Sequence, residues 1–128
     1  MGEAQLATRG PIIVYVEVGG PHTSQLIAMV LDTGAIFTII PIEAARAIGY
    51  DPANTAKRIE MVTASGIEWV PQLTVRSVSC LGRTIKNLEV VCHDLPAQSP
   101  VKGLLGLNFL RHFNVHLDFL VRRLSLTH

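Results

Sequence analysis

The sequence predicts a mostly β domain with one or two short helices, on three observations. Short β-branched and apolar runs recur along the chain, each closed by Gly, Pro or a small polar cluster. One stretch, Pro41 to Gly49, reads clearly as a helix, and a shorter one follows Gly106. The 128 residues are enough for one hydrophobic core and too few for two, and 48% are hydrophobic against 16% charged.

Residues 1–10 lack periodicity and are expected to form a flexible arm ahead of a single domain over residues 11–128. Pro11 to Val18 (PIIVYVEV) is a strand ended by Gly19-Gly20-Pro21. Gln25 to Leu31 is a second strand running into Asp32, and Phe37 to Ile40 is a third, stopped by Pro41. The helix from Pro41 carries Glu43 near its start and Gly49 at its C-cap, with Ile42, Ala45 and Ile48 on the expected buried side. Ile59 to Thr63 and Ile67 to Val75 flank Ala64-Ser65-Gly66, a hairpin tip. Leu73 to Cys80 and Thr84 to Cys92 form another hairpin about Leu81-Gly82. A Pro-containing loop follows, then a strand over Val101 to Leu105 and a short helix capped by Asn108 and running to about Phe113. Val115 to Phe119 and Arg122 to Leu126 finish the chain as strands.

Composition excludes several classes. The net charge is +1 and Arg122-Arg123 is the only adjacent basic pair, so no face is basic enough for a dedicated nucleic-acid binder. No run approaches the roughly 18 apolar residues of a membrane span. The start has neither a signal-peptide pattern nor a myristoylation signal, because Leu6 stands where Ser or Thr is needed. His112 and His116 have i, i+4 spacing, but no Glu follows His112 and Asn114-Val115 interrupts a helix there; neither metal nor cofactor is called for. In a tight hairpin Cys80 and Cys92 would stand some 30 Å apart at strand rise. Two unbridged thiols are expected, which suits a cytoplasmic location.

The chemistry centres on Ala28 to Ile40, where Asp32-Thr33-Gly34 joins two apolar strands. A carboxylate among buried strands must be paired or functional. Gly34 permits a tight turn and leaves N–H groups free to approach it.

Val30-Leu31-Asp32-Thr33-Gly34-Ala35, with Thr38-Ile39-Ile40 after it, resembles the active-site loop of retropepsin-like aspartic proteases. Gly103-Leu104-Leu105-Gly106-Leu107-Asn108-Phe109-Leu110 is similar to that family's second motif, about 70 residues on, with a hairpin between the two where the family has its flap. The likeness covers roughly residues 11 to 126 and is closer to the bacterial than the viral branch. It implies a closed retropepsin-like β-barrel, a homodimer, and hydrolysis of peptide or protein substrates by a water activated between two aspartates. With one triplet per chain, each copy supplies Asp32, since two carboxylates must share one proton. By resemblance Thr33, with Gly34 and Ala35, braces the loop across the dimer. The hairpin with tip Ala64, Ser65 and Gly66 closes over the substrate as a flap. Ile36, Leu104, Leu105 and Leu107 are expected to line substrate pockets, and Trp69 to pack at the flap base.

Two positions depart from better-known relatives. Ala35 replaces the Ser of pepsin-like enzymes and removes a hydroxyl donor, so activity is expected toward weakly acidic or near-neutral pH. Ile36 and Leu107 stand where viral relatives carry an Asp–Arg ion pair, so an apolar contact is expected instead. The alternative reading is a catalytically weak dimer that serves as a peptide-binding or dimerisation module.

Overall fold

In a computed structural model residues 2–128 are described, and these form ten strands, two short α-helices and one 3-10 turn. The strands are β1 (Glu3–Gln5), β2 (Ile13–Gly19), β3 (Ser24–Leu31), β4 (Thr38–Ile40) and β5 (Arg58–Thr63), then β6 (Gly66–Cys80), β7 (Arg83–Cys92), β8 (Gly103–Leu105), β9 (Asn114–Asp118) and β10 (Arg123–Thr127). Helix α1 spans Ile42–Ala47 and α2 spans Leu107–Leu110.

Six strands close on themselves in the order β2-β3-β8-β4-β7-β6, with β6 returning to β2 through the Glu17–Ser79 to Gly19–Ser77 register. Strand β5 extends beyond this barrel as the outer half of a hairpin with β6. Closure removes sheet edges around the core. The core follows from strand alternation: Val14, Val16 and Val18 point inward from β2 and meet Ile27, Met29 and Leu31 of β3. Phe109 of α2 fills the same core.

The two strands expected at 67–75 and 73–80 are one 15-residue strand, β6. Its first part pairs with β5 up to Pro71, opposite Arg58, and its remainder pairs with β7 from Gln72 onward. Pro71, which lacks an N–H, therefore stands where the strand changes partner.

Helix α1 begins one residue later than its Pro suggests. Pro41 is the N-cap, and Asp94 Oδ1 accepts the Ile42 N–H at 3.0 Å, so a distant carboxylate satisfies one of the free donors. Ala44 and Ala45 are its buried residues, the C-cap Ile48 is buried as well, and Ile42 is only half-buried.

The first residues differ from the expected loose arm. Met1 lies outside the described residues, but β1 pairs with β10 in a three-stranded sheet of order β1-β10-β9, and Leu6 is buried. The edge of β10 offers unpaired backbone groups, and three residues of the arm satisfy them. Among the described residues, no helix is long and apolar enough to cross a membrane.

Candidate active site

Strand β3 delivers Asp32 to its carbonyl-side end, where the Asp32 N–H continues the ladder onto the Leu105 carbonyl of β8 at 2.9 Å. The chain then turns back: the Ala35 N–H donates to the Asp32 carbonyl at 3.2 Å, and the Gly34 N–H donates to Asp32 Oδ1 at 2.8 Å. A Cβ on Gly34 would stand 3.1 Å from that same oxygen, so glycine keeps the donor close without crowding the carboxylate. Asp32 is half-buried rather than enclosed, and Thr33 and Gly34 are exposed beside it. The apolar flanks belong to the strands, while the turn itself opens to solvent.

Behind the loop lies a polar lock that the apolar pattern hides. Asn108 was expected to cap its helix, but Gly106 is the N-cap, and the Asn108 side chain reaches across to the loop instead. Its Oδ1 accepts from both the N–H and Oγ1 of Thr38, each at 2.9 Å, and its Nδ2 donates to the Glu89 carbonyl at 2.6 Å. Thr38 Oγ1 in turn accepts the Gly106 N–H at 3.1 Å. Two backbone bonds add to this, Leu107 N–H to the Ala35 carbonyl at 2.8 Å and Asn108 N–H to the Ile36 carbonyl at 3.1 Å. A Cβ on Gly106 would meet the Phe37 carbonyl oxygen at 2.5 Å, which explains a glycine at this crossing.

Beside Asp32 a cavity of about 480 Å³ opens between the loop and β5. Ala35, Ile36, Phe37 and Ile39 face Ile59 and Met61 across it, with Glu60 the one acidic wall. Ile36, expected at a substrate pocket, lines this cavity. Leu104 is half-buried and packs against Ile39, Val70 and Val91 behind that cavity. Leu105 points the other way along β8 into the main core and is fully buried, so it is no pocket wall. Leu107 is half-buried and holds the loop through its backbone. Phe37, Ile59 and Met61 were not singled out from sequence, although the Ile59–Glu60–Met61 alternation carried the signal.

The hairpin tip is formed as expected, with Thr63 opposite Gly66 and Ala64-Ser65 between them. Thr63 Oγ1 accepts from the Ser65 N–H at 3.2 Å and donates to the Gly66 carbonyl at 3.0 Å. Trp69 departs from expectation. It shares a face with Val62 and Ile67, opposite the face that packs inward, and is 64% exposed. Cys80 and Cys92 are buried and unbridged. Burial pushes the Cys80 thiol up to about 11, and burial with the nearby Asp94 carboxylate pushes Cys92 up to about 12.

The sequence model of the gag-polyprotein putative aspartyl protease family matches residues 16–112, which contain the Asp32 loop, the hairpin and the Gly103–Leu110 segment. The chain belongs to this aspartyl protease family. Membership supports aspartic peptidase chemistry in general. The fold agrees with a solved structure of a retropepsin-like aspartic protease from Rickettsia conorii, with a TM-score of 0.74 at 23% identity over 98% of this chain and 89% of that one. The barrel, with its two short helices, is therefore retropepsin-like. No curated protein is significantly similar to the chain in sequence. In this family member Ile36, on the loop, is 67% exposed, and Leu107, at the start of α2, is half-buried. The loop and helix are joined there by backbone hydrogen bonds.

Proposed function

We propose that the chain is an aspartic endopeptidase that acts as a homodimer, each copy supplying Asp32 to one shared site. The observation that carries this is the Asp32 loop. A single Asp-Thr-Gly turn holds one carboxylate oxygen with the Gly34 N–H, leaves the carboxylate half-open to solvent, and is locked from behind by Thr38 and Asn108.

The chemistry follows from pairing two such carboxylates. Close together they cannot both ionise, so the pair holds one proton. The ionised carboxylate takes a proton from water as it attacks the peptide carbonyl, and the protonated one donates to the carbonyl oxygen. The apparent titration then belongs to the pair. The β5–β6 hairpin acts as a flap, laying the substrate against the loop as an extended strand and excluding water. The apolar cavity between Ile36, Phe37 and Met61 receives an apolar side chain near the cleaved bond. No cofactor takes part.

A second reading, a dimer that binds extended peptides and cleaves poorly, is favoured by the exposed Ile36, which replaces a polar contact to substrate with an apolar one. Asp32→Asn separates the two. The substitution is expected to abolish cleavage of an unstructured protein while sedimentation still shows a dimer. Undiminished cleavage refutes the catalytic role, and absence of cleavage by the unmodified protein favours the second reading.

A further inference from the structure

The β5–β6 hairpin leaves the barrel at one place. From Arg58 to Pro71 its two strands pair only with each other among the described residues, and from Gln72 onward β6 pairs with β7. Lys57 and Gln72 are therefore the two feet of the hairpin, and the Gln72 N–H donates to the Lys57 carbonyl at 3.0 Å. Whatever fixes these two residues sets the angle of the hairpin to the Asp32 loop.

Strand alternation puts Gln72 on the face of Val70, which packs with Ile39 and Val91 in the small apolar cluster behind the cavity. Gln72 is buried, at 7% exposure. A buried amide needs a partner, and Gln72 Nε2 donates to Glu89 Oε2. Lys57 Nζ lies 3.6 Å from the same oxygen. Both feet thus converge on one carboxylate of β7. Glu89 stands diagonally across from Gln72, since its register partner is Thr74, two residues further along β6. The Thr55 hydroxyl donates to the Gln72 carbonyl at 3.1 Å and ties the same foot to the preceding loop.

The two contacts differ in weight. The Lys57 side chain is 71% exposed, so its ion pair contributes little. The Gln72 bond is part-buried and its acceptor is charged, which makes it the stronger hold. Glu89 also reaches the Asp32 loop. Its carbonyl accepts Asn108 Nδ2 at 2.6 Å, and the next residue, Val90, pairs with Thr38. One residue thus fastens the hairpin by its side chain and the lock behind Asp32 by its backbone.

We infer that Glu89 is a positioning residue for the Asp32 site: its carboxylate holds the base of the hairpin, chiefly through Gln72, so that the hairpin stands ready over an extended substrate. The inference rests on the reading of Asp32 as a protease site and of the hairpin as its flap. Glu89 takes no part in the proton transfers. It acts on the fraction of molecules whose hairpin is placed to receive substrate, and a smaller fraction weakens apparent binding in proportion.

The test compares Glu89→Ala, which removes the acceptor, with Glu89→Gln, which keeps an acceptor for Gln72 and drops only the charge toward Lys57. In Glu89→Ala the KM for an extended peptide is expected to rise about tenfold with kcat within about twofold, as loss of one hydrogen bond to a charged group would produce. Local motion of Trp69, on the hairpin, is expected to quicken in time-resolved anisotropy, and Glu89→Gln to restore most of both. A merely structural role has another signature, because loss of folded protein lowers apparent kcat and leaves KM unchanged. That result, parent-like behaviour of Glu89→Ala, or an equal effect in Glu89→Gln overturns the inference. If Glu89→Ala does not fold, Gln72→Met removes the same bond without leaving a buried amide unpaired, and the same readouts decide. If the parent cuts no peptide, the protease reading fails and Trp69 motion alone decides: faster in Glu89→Ala than in Glu89→Gln supports the hold on the hairpin, and equal motion overturns it.

Discussion

Thr38 and Asn108, seventy residues apart, are joined by two hydrogen bonds that end on the same oxygen, Asn108 Oδ1. The donors are the backbone and side chain of a fully buried threonine, so the pair fastens the strand after Asp32 to the helix after Gly106.

Asn108→Ala should therefore cost more than an ordinary polar substitution. It strands the Thr38 N–H and the Glu89 carbonyl in part-buried surroundings, at about 1–3 kcal/mol each. A loss of about 3 kcal/mol in urea unfolding is expected, and a change below about 1 kcal/mol shows that the lock is dispensable.

Gly106→Ala is expected to be more severe. The added methyl would stand 2.5 Å from the Phe37 carbonyl and 2.9 Å from that of Ala35, and neither backbone oxygen can move without displacing the Asp32 loop. Destabilisation above about 4 kcal/mol, or failure to fold, is expected by circular dichroism and urea titration. A variant within about 1 kcal/mol of the parent shows that the crossing is looser than described.

Thr33 offers the opposite case. It is exposed beside Asp32, so Thr33→Ala should leave the fold within about 0.5 kcal/mol. If Thr33 braces two copies, the same change raises the dimer dissociation constant about tenfold in sedimentation. An unchanged constant removes it from the interface.

The two cysteines give a pH prediction. Both thiols titrate well above 9.0, the ordinary value, at about 11 for Cys80 and about 12 for Cys92. Their burial is compatible only with the neutral form, so their contribution to stability is complete below the unfolded value and is lost as pH rises through the folded ones. Stability should fall between about pH 9 and 12, and less so in a Cys80→Ala, Cys92→Ala variant. At pH 8 the native thiols should react with a disulfide reagent far more slowly than in urea; equal rates mean the thiols are accessible.

Trp69, the only tryptophan, reports on the hairpin. Exposed as it is, it should emit at long wavelength and be quenched readily by acrylamide. A blue-shifted, protected emission in the free protein contradicts its outward position on β6.

Much of this was legible in the order of residues. Partial alternation in Pro11 to Val18 pointed to a strand with Tyr15 and Glu17 on one face, because a strand has a period of two. Gly49 and Ala64-Ser65-Gly66 marked real ends because their roles are local. Hidden were the features that depend on a distant partner. Asn108 read as a cap because Asn is a good N-cap, and only the proximity of Thr38 turns it elsewhere. Residues 3–5 read as a loose arm because a three-residue strand has no period to detect until β10 lies beside it. Trp69 read as a packing residue at the flap base from its place after the hairpin tip, and its face on β6 left it in solvent.

The sequence by itself determined the mostly β class and the Asp32 turn, since apolar runs, Gly placement and a carboxylate between apolar strands are properties of the chain alone, while the link to the Gly103–Leu110 segment came from the family resemblance. Only the tertiary structure decided that Asp32 opens half to solvent, that Phe37 and Met61 wall the cavity while Leu105 does not, and that Tyr15 and Phe119 share a groove. Those outcomes depend on which strand closes against which, and barrel closure brings together residues that no local pattern relates.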